Sequence, residues 1–258
     1  MAGFCLLPLG YMAAVAVAEH PEFLSPRIAF AFTGNHFRDA LSPGRHLLDF
    51  LRNSVLIAAV TAVAVPVLAG LAAYPLARMP LRGRSVLLEI ALALSMFPPI
   101  SLAGALYRML SGLGWINTHA ALILPYTAWL LPFGLWFLTG HLGSIPRELD
   151  RAALVDGCSH PQILRKVLLP LALPGLVTAG LLAFIFAFNE FLFALLFTVD
   201  HQARTVPVGI ALFQGAHGEL PWGALMAASL LAVLPALALT LLFQRHIVQG
   251  LTRGAVKG

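Results

Sequence analysis

Long apolar stretches, nearly free of charge, constrain this chain more than any other feature. A helix needs about 20 mostly apolar residues to cross a bilayer. Lipid offers no hydrogen bonds, so spanning segments must be helices or strands of a closed barrel. The stretches show no alternation of apolar and polar residues, which favours helices. We predict an all-α integral membrane protein, one transmembrane domain over residues 1–258, with six transmembrane helices at Gly3–Ala18, Ser54–Ala77, Val86–Leu106, Ala120–Leu138, Leu173–Phe197 and Trp222–Phe243.

Composition excludes a soluble protein, because 59% of the residues are hydrophobic and only 10% are charged. Soluble domains are about one quarter charged. The formal net charge of +5 raises the question of nucleic-acid binding. The basic residues, however, lie in short loops between apolar stretches and not on one polar face, so the expected partner is the lipid bilayer and not nucleic acid.

The distribution of Lys and Arg predicts the orientation of the chain. The loops after the second and fourth stretches, together with the C-terminal segment, hold ten of these residues, and the remaining loops hold six. Short loops rich in Lys and Arg stay in the cytoplasm. We therefore predict that both termini and the loop between the fourth and fifth helices are cytoplasmic.

That loop has strong local signals for a short helix, predicted over Ile145–Gly157. Ser144 is a suitable N-cap and Pro146 suits a first turn. Glu148 and Asp150 place negative charge near the start, and Gly157 is a typical residue after a helix end. The sequence from Ser159 to Gln162 then predicts a capping box that starts a second helix.

The residue spacing in this loop resembles the signature of ABC importer permeases. That signature is Glu-Ala-Ala, three residues, Gly, nine residues, Ile, one residue, Leu-Pro. The matching residues here are Ala152, Ala153, Gly157, Val167 in the Ile position, Leu169 and Pro170. Arg151 occupies the Glu position, which puts in doubt any salt bridge that the family's Glu makes. Asp150 cannot simply replace it, because one residue turns a helix by about 100°.

The resemblance to that family extends to other segments: Asn53-Ser54, Ala73 to Arg78, Met96 to Pro99, Leu124 to Tyr126, and Phe188 to Phe191. The tail from Gln244 to Gly258 is similar to the ending of the maltose-type carbohydrate permeases. The resemblance therefore covers nearly the whole chain and points to the carbohydrate branch.

The resemblance implies a type I ABC importer permease fold with a cytoplasmic coupling helix between spans four and five. It also implies the partners: a second related permease subunit, two ATPase subunits and an external solute-binding protein, in a bacterial or archaeal cell inner membrane. ATP and Mg would bind the ATPase subunits, and this chain would bind no cofactor. The coupling helix would contact an ATPase through Glu148, Leu149, Asp150, Arg151, Ala152, Ala153, Asp156 and Gly157.

Two polar residues lie within the fifth predicted helix. A charge at the centre of a membrane helix costs about 2.5–3.5 kcal/mol, so such a residue faces a bundle interior or a watery cavity. We expect Asn189 and Glu190 to line or border the translocation path, with Phe188 and Tyr126 as aromatic contacts for a sugar. The alternative for Glu190 is a buried hydrogen bond to a neighbouring helix.

The residues exclude several activities and leave others open. The chain has no GxxxxGK[ST] loop, no Ser/His/Asp set and no metal-ligand cluster, so we expect neither ATP hydrolysis nor catalysis nor a metal site. The expected solute is a sugar such as maltose or trehalose, with glycerol phosphate or a polyol as the alternative. An ion-coupled secondary transporter would need paired intramembrane charges and repeat symmetry, but only Glu190 is central.

Overall fold

The computed structural model describes residues 2–19, 32–213 and 220–255, and the side chains of residues 6–19, 32–213 and 220–244. Within these ranges the regular structure is helical, apart from an isolated antiparallel bridge between Ala18 and Phe32. The all-α prediction is confirmed for this part of the chain. The end of the predicted tail, after residue 255, lies outside the described residues.

Twelve α-helices follow one another along the described segments. They are α1 (Ala2–Val17), α2 (Asn35–Ala40), α3 (Leu47–Arg78), α4 (Arg84–Ser95), α5 (Ile100–Gly112), α6 (Ala120–Gly143), α7 (Glu148–Val155), α8 (His160–Ile163), α9 (Leu169–Asn189), α10 (Leu192–Phe197), α11 (Val206–Ala211) and α12 (Trp222–Ala255). A 3-10 turn at Pro43–Arg45 precedes α3, and a π-helical turn at Leu164–Leu168 makes α8 and α9 continuous.

Four helical segments of the described chain are long and apolar enough to cross a membrane: Leu47–Arg78, Ala120–Gly143, His160–Asn189 and Trp222–Gln244. The pair α4 and α5 would be a fifth crossing, although the two helices meet at an angle of 85°. The apolar part of α1, Leu6–Val17, is shorter than these segments. Length and composition therefore support four or five of the six predicted crossings.

The third predicted helix, Val86–Leu106, is not continuous, and the prediction of its bounds was wrong. The chain breaks between Ser95 and Ile100, where Pro98 and Pro99 provide no backbone N–H donors. The two prolines therefore lie between the end of one helix and the start of the next.

Other predicted bounds also change: the fourth helix continues to Gly143, the fifth begins at His160 and the sixth continues to Ala255. The second helix begins at Leu47 instead of Ser54, so the amphipathic end of the preceding loop forms its first turns. The fifth helix ends at Asn189 instead of Phe197, and Glu190 has an extended backbone with φ −67° and ψ 133°. Glu190 therefore lies at a helix break and not within a helix.

Helix α3 is the centre of the bundle and packs against both α6 and α9. Its contact with α9 is close at Gly180, where a β-carbon would lie 2.8 Å from the carbonyl oxygen of Ala62. Small residues allow membrane helices to approach in this way. Helices α3 and α6 run in the same direction, because Asn53 contacts His119 near their starts and Arg78 contacts Ile145 near their ends.

Candidate functional site

Residues within and next to helix α7 stabilise both of its ends. Glu148 and Asp150 lie in its first turn, where the helix dipole favours carboxylates. At its end the N–H of Gly157 donates to the oxygen of Leu154 at 3.0 Å, and the N–H of Cys158 donates to that of Ala153 at 2.9 Å. This pair of bonds is the Schellman motif, and its left-handed residue is Gly157 with φ +80°.

The predicted start of this helix needs a correction. Ser144 does not cap α7, because its hydroxyl donates to the carbonyl of His141 at 2.7 Å and its N–H also bonds back into α6. Helix α7 begins at Glu148 instead of Ile145 and ends at Val155. The capping box at Ser159 is confirmed, since the N–H of Ser159 donates to Oε1 of Gln162 at 2.8 Å.

The two faces of α7 have different surroundings. Ala153 is buried in an apolar cluster with Ala73, Tyr74 and Ala77 of α3. The other alanine of the signature, Ala152, is exposed. The exposed residues of α7 comprise Glu148, Leu149, Arg151, Ala152, Leu154 and Val155, and Asp156 and Gly157 just after the helix are exposed as well. Val155 has 88% of its surface exposed.

Long polar side chains connect α7 and its preceding loop to the end of α3. Arg78 donates from Nη1 to the carbonyl of Ile145 at 3.0 Å, and its Nε lies 3.4 Å from Oδ2 of Asp150. Arg147 donates from Nη2 to the carbonyl of Ala77 at 3.3 Å. We call these five residues the α3–α7 junction. The sequence analysis named Arg78 as the end of a segment similar to the family and predicted no contact for it, although its place at the end of an apolar helix was a usable signal.

The later part of the signature lies where the loop becomes a membrane helix. Val167 is half-buried in the π-helical turn, and Leu169 and Pro170 are exposed at the start of α9. Leu169 also lines an apolar groove of about 690 Å³ between α3, α9 and α12. The groove lining contains no polar side chain, so its side chains do not offer the hydrogen bonds that sugar hydroxyls require.

Glu190 binds both a neighbouring helix and the start of the next one. The hydroxyl of Tyr126 donates to Oε2 of Glu190 at 2.6 Å. The N–H groups of Phe193 and Ala194 donate to Oε1 at 2.9 Å and to Oε2 at 3.2 Å. A carboxylate at a helix N-terminus is favoured by the helix dipole, which offsets part of the cost of placing it in a membrane protein. The bond to a neighbouring helix, the alternative considered from sequence, is present.

The other residues predicted for the path have separate surroundings. Tyr126 and Phe188 are buried in an apolar core cluster, with 1% and 4% of their surfaces exposed. Asn189 is exposed, and its Nδ2 donates to the carbonyl of Ile185 within α9. The structure thus brings Tyr126 and Glu190 together, while Asn189 makes no hydrogen bond to either of them among the described contacts.

A polar cluster at the opposite end of α3 was missed in the sequence analysis. Asn53 is buried and donates to the carbonyls of His201 and Arg204 at 2.9 and 3.0 Å. Its Oδ1 lies 3.0 Å from Nε2 of His119. Ser54 accepts a hydrogen bond from the N–H of Val206 at 2.8 Å. Two adjacent polar residues at the start of an apolar helix were the available signal.

The loop that Asn53 holds contains a second set of hydrogen bonds. Asn117 has a left-handed backbone with φ +63° and donates from Nδ2 to Oδ1 of Asp200 at 2.8 Å. That bond, followed by one from the N–H of Gln202, holds the pKa of Asp200 below its ordinary value. The carboxylate therefore helps to order this loop in its charged form.

Comparisons with known proteins agree with this geometry. Residues 48–253 match the family described as "Binding-protein-dependent transport system inner membrane component". The chain is 48% identical to the trehalose/maltose transport system permease protein MalG of Thermococcus litoralis. The 260 aligned residues cover 100% of this chain and 94% of that protein. The chain is 38% identical over 258 residues to the trehalose transport system permease protein SugB of Mycobacterium tuberculosis, covering 99% and 94%.

A solved structure has the same fold. It is a chain of a bacterial ABC transporter involved in the import of the acidic polysaccharide alginate, with a TM-score of 0.79 and 18% identity, covering 95% of this chain and 91% of that one. The resemblance to importer permeases that the sequence indicated is confirmed, and these comparisons do not favour the ion-coupled alternative. The chain therefore belongs to the family of inner membrane components of binding-protein-dependent transport systems, as a permease subunit and not as an ATPase.

Proposed function

We propose that this chain forms half of the translocation pathway of an ABC importer for a sugar of the maltose or trehalose class. The observation that carries the proposal is the full-length similarity to a trehalose/maltose permease, together with the family match over residues 48–253. The exposed helix α7, between two apolar spans, is the feature that such a subunit needs to receive force from an ATPase.

The proposed topology has six crossings with both termini in the cytoplasm of a bacterial or archaeal cell, and residues 1–258 act as one transmembrane domain. The crossings are α1, α3, the broken pair α4 and α5, α6, the continuous α8 and α9, and α12. Helix α1 has 16 residues, which corresponds to about 24 Å at about 1.5 Å per residue. Local thinning of the bilayer accommodates a span of this length.

Helix α7 is the proposed coupling helix, with its exposed residues docked on one of two ATPase subunits that bind ATP and Mg. Ala152 lets the partner surface approach closely, and Val155 places an apolar side chain at the contact. A second permease subunit completes the pathway, and an external binding protein delivers the solute. Closure of the ATPase pair moves α7, and the packed helices follow as rigid bodies in an alternating-access cycle.

Glu190 is the proposed border residue of the path, together with Asn189. It is half-buried at a helix break, and Tyr126 positions its carboxylate from within the core. Phe188 supports this arrangement from the same apolar cluster. We expect Glu190→Gln to lower uptake in an assembled complex, whereas Tyr126→Phe, which removes one hydrogen bond, has a smaller effect. Equal uptake by wild type and Glu190→Gln at matched assembly would remove Glu190 from the path.

The docking of α7 is tested by crosslinking in the assembled complex. Val155→Cys and Val199→Cys place the same residue at exposed positions near the two ends of the bundle, with native exposures of 88% and 65%. Each of the two variants also carries Cys5→Ser and Cys158→Ser, which replace the native cysteines. A bifunctional thiol reagent should join the cysteine at 155, and not that at 199, to a protein with a phosphate-binding loop. Crosslinking to the ATPase from neither position, or from 199 alone, would contradict the proposal.

A further inference from the structure

The α3–α7 junction contains an ion pair whose two side chains are largely shielded from solvent. Only 4% of the Arg78 side chain and 18% of the Asp150 side chain are exposed. Asp150 faces α3, while the neighbouring Arg151 and Ala152 are exposed. The pair is thus on the membrane-domain side of α7, opposite the surface available to an ATPase.

The ion pair adds a charged contact to the apolar packing of Ala153 of α7 against α3. Arg78 is the last residue of α3, the central helix of the bundle, and it contacts both Asp150 and the carbonyl of Ile145 before α7. Arg147 makes the reciprocal bond from the loop back to Ala77. The end of α3 is therefore held by contacts at three positions of the following segment: Ile145, Arg147 and Asp150.

The ion pair is also incompletely hydrogen-bonded, which makes the attraction between the charges important. Nε and Nη2 of Arg78 and Oδ1 of Asp150 are buried without a hydrogen-bond partner among the described residues. Separating two buried charges that have few other partners is costly, because each is left in a medium of low polarity. The pair therefore resists separation of α7 from α3 more than an exposed pair would.

We propose that the Arg78–Asp150 ion pair transmits the movement of α7 to α3, so that its loss uncouples ATP hydrolysis from solute transport. Both are positioning residues, because they act through the contact between α7 and α3. This inference rests on the proposed function, because it requires α7 to be docked on an ATPase. It goes further by assigning the transmission step to one ion pair and one helix.

The test uses the whole importer, purified with its permease, ATPase and binding-protein partners and placed in liposomes, with maltose or trehalose as the probe. The variants are Asp150→Asn, Arg78→Gln and the double variant. The double variant matters because it removes the attraction without leaving a buried charge alone, so it avoids the folding defect that a single substitution can cause. Arg82→Gln, at an exposed position in the loop after α3, is the matched control.

The measurements are ATPase retained per permease, ATP hydrolysis, and sugar taken up per ATP. We expect the double variant to retain the ATPase and hydrolyse ATP, while sugar taken up per ATP falls about tenfold, within the usual range of coupling between sites. Arg82→Gln should match wild type. An unchanged ratio in the double variant would overturn the inference, as would loss of the ATPase from it. Absence of the ATPase from the wild-type preparation would instead contradict the proposed function.

Discussion

Gly180→Ala tests the packing of α3 against α9 most directly. The added β-carbon would lie 2.8 Å from the carbonyl oxygen of Ala62, where ordinary contact begins at 3.4 Å. The obstacle is backbone within a helix and cannot rotate away as a side chain does. The two helices must therefore separate locally by about 0.6 Å, or the carbonyl must tilt out of its helical hydrogen bond.

The expected cost is that of overpacking a core, about 1–3 kcal/mol. For a chain of about 250 residues this corresponds to a fall in the thermal midpoint of about 2–12 °C. Two glycine-to-alanine substitutions at less crowded positions serve as controls. Gly70→Ala meets the flexible end of Leu176 at 3.2 Å and should cost less, while Gly140→Ala in α6 meets nothing within 4 Å. Gly140→Ala should be neutral or stabilising, because alanine favours helices over glycine.

The assay is thermal unfolding of the purified protein in mild detergent, followed by the loss of the monodisperse peak on size-exclusion chromatography. The reasoning predicts the order Gly140→Ala, Gly70→Ala, Gly180→Ala from most to least stable. If Gly180→Ala unfolds at the same temperature as Gly140→Ala, the close approach of α3 and α9 is refuted.

Three further predictions follow from single contacts. Gly157→Ala forces a left-handed alanine at a cost of about 1–2 kcal/mol, and should lower the ATPase retained on purification, whereas Gly140→Ala should not. Arg151→Glu should lower ATPase retention about fivefold relative to Arg151→Lys, because the ATPase surface that docks on the exposed Arg151 should carry the opposite charge. Equal retention of the two variants would mean that no charge of the ATPase faces Arg151. Hydrogen bonds from Asn117 and Gln202 hold the pKa of Asp200 below its ordinary value of 3.8. The charged carboxylate therefore stabilises the folded state above pH 3.8, and this stabilisation is lost as the pH falls through the lowered pKa. The difference in thermal midpoint between wild type and Asp200→Asn should therefore shrink from about pH 6 to about pH 3, and a constant difference would exclude a role for the charge.

Most of the fold was predictable because membrane helices are encoded locally. Uniform apolar stretches predicted α3, α6, α9 and α12, since a bilayer leaves the backbone little choice other than a helix. The errors lie where local signals compete. Pro98 and Pro99 ended a helix that hydropathy alone would continue, and the amphipathic turns from Leu47 joined a membrane span that hydropathy alone would start later.

The candidate site was predictable in its residues and less so in its contacts. Gly157 and the capping box at Ser159 act within a few residues of themselves, so their roles followed from spacing. Ala152 and Ala153 are equivalent in sequence, and only packing shows that one is exposed and the other buried. The contacts of Arg78 and Asn53 were not predicted, because their partners lie far along the chain, at Asp150 and Arg204.

The sequence by itself determined that this chain spans a membrane, that its loop helix ends just before Gly157, and which family it resembles. Those properties depend on hydropathy and on hydrogen bonds between near neighbours. Only the tertiary structure decided that Arg78 pairs with Asp150, and that Glu190 caps α10 while binding Tyr126. Such pairs depend on the relative position of distant helices, which packing of α3 against α6 and α9 sets and which no local pattern records.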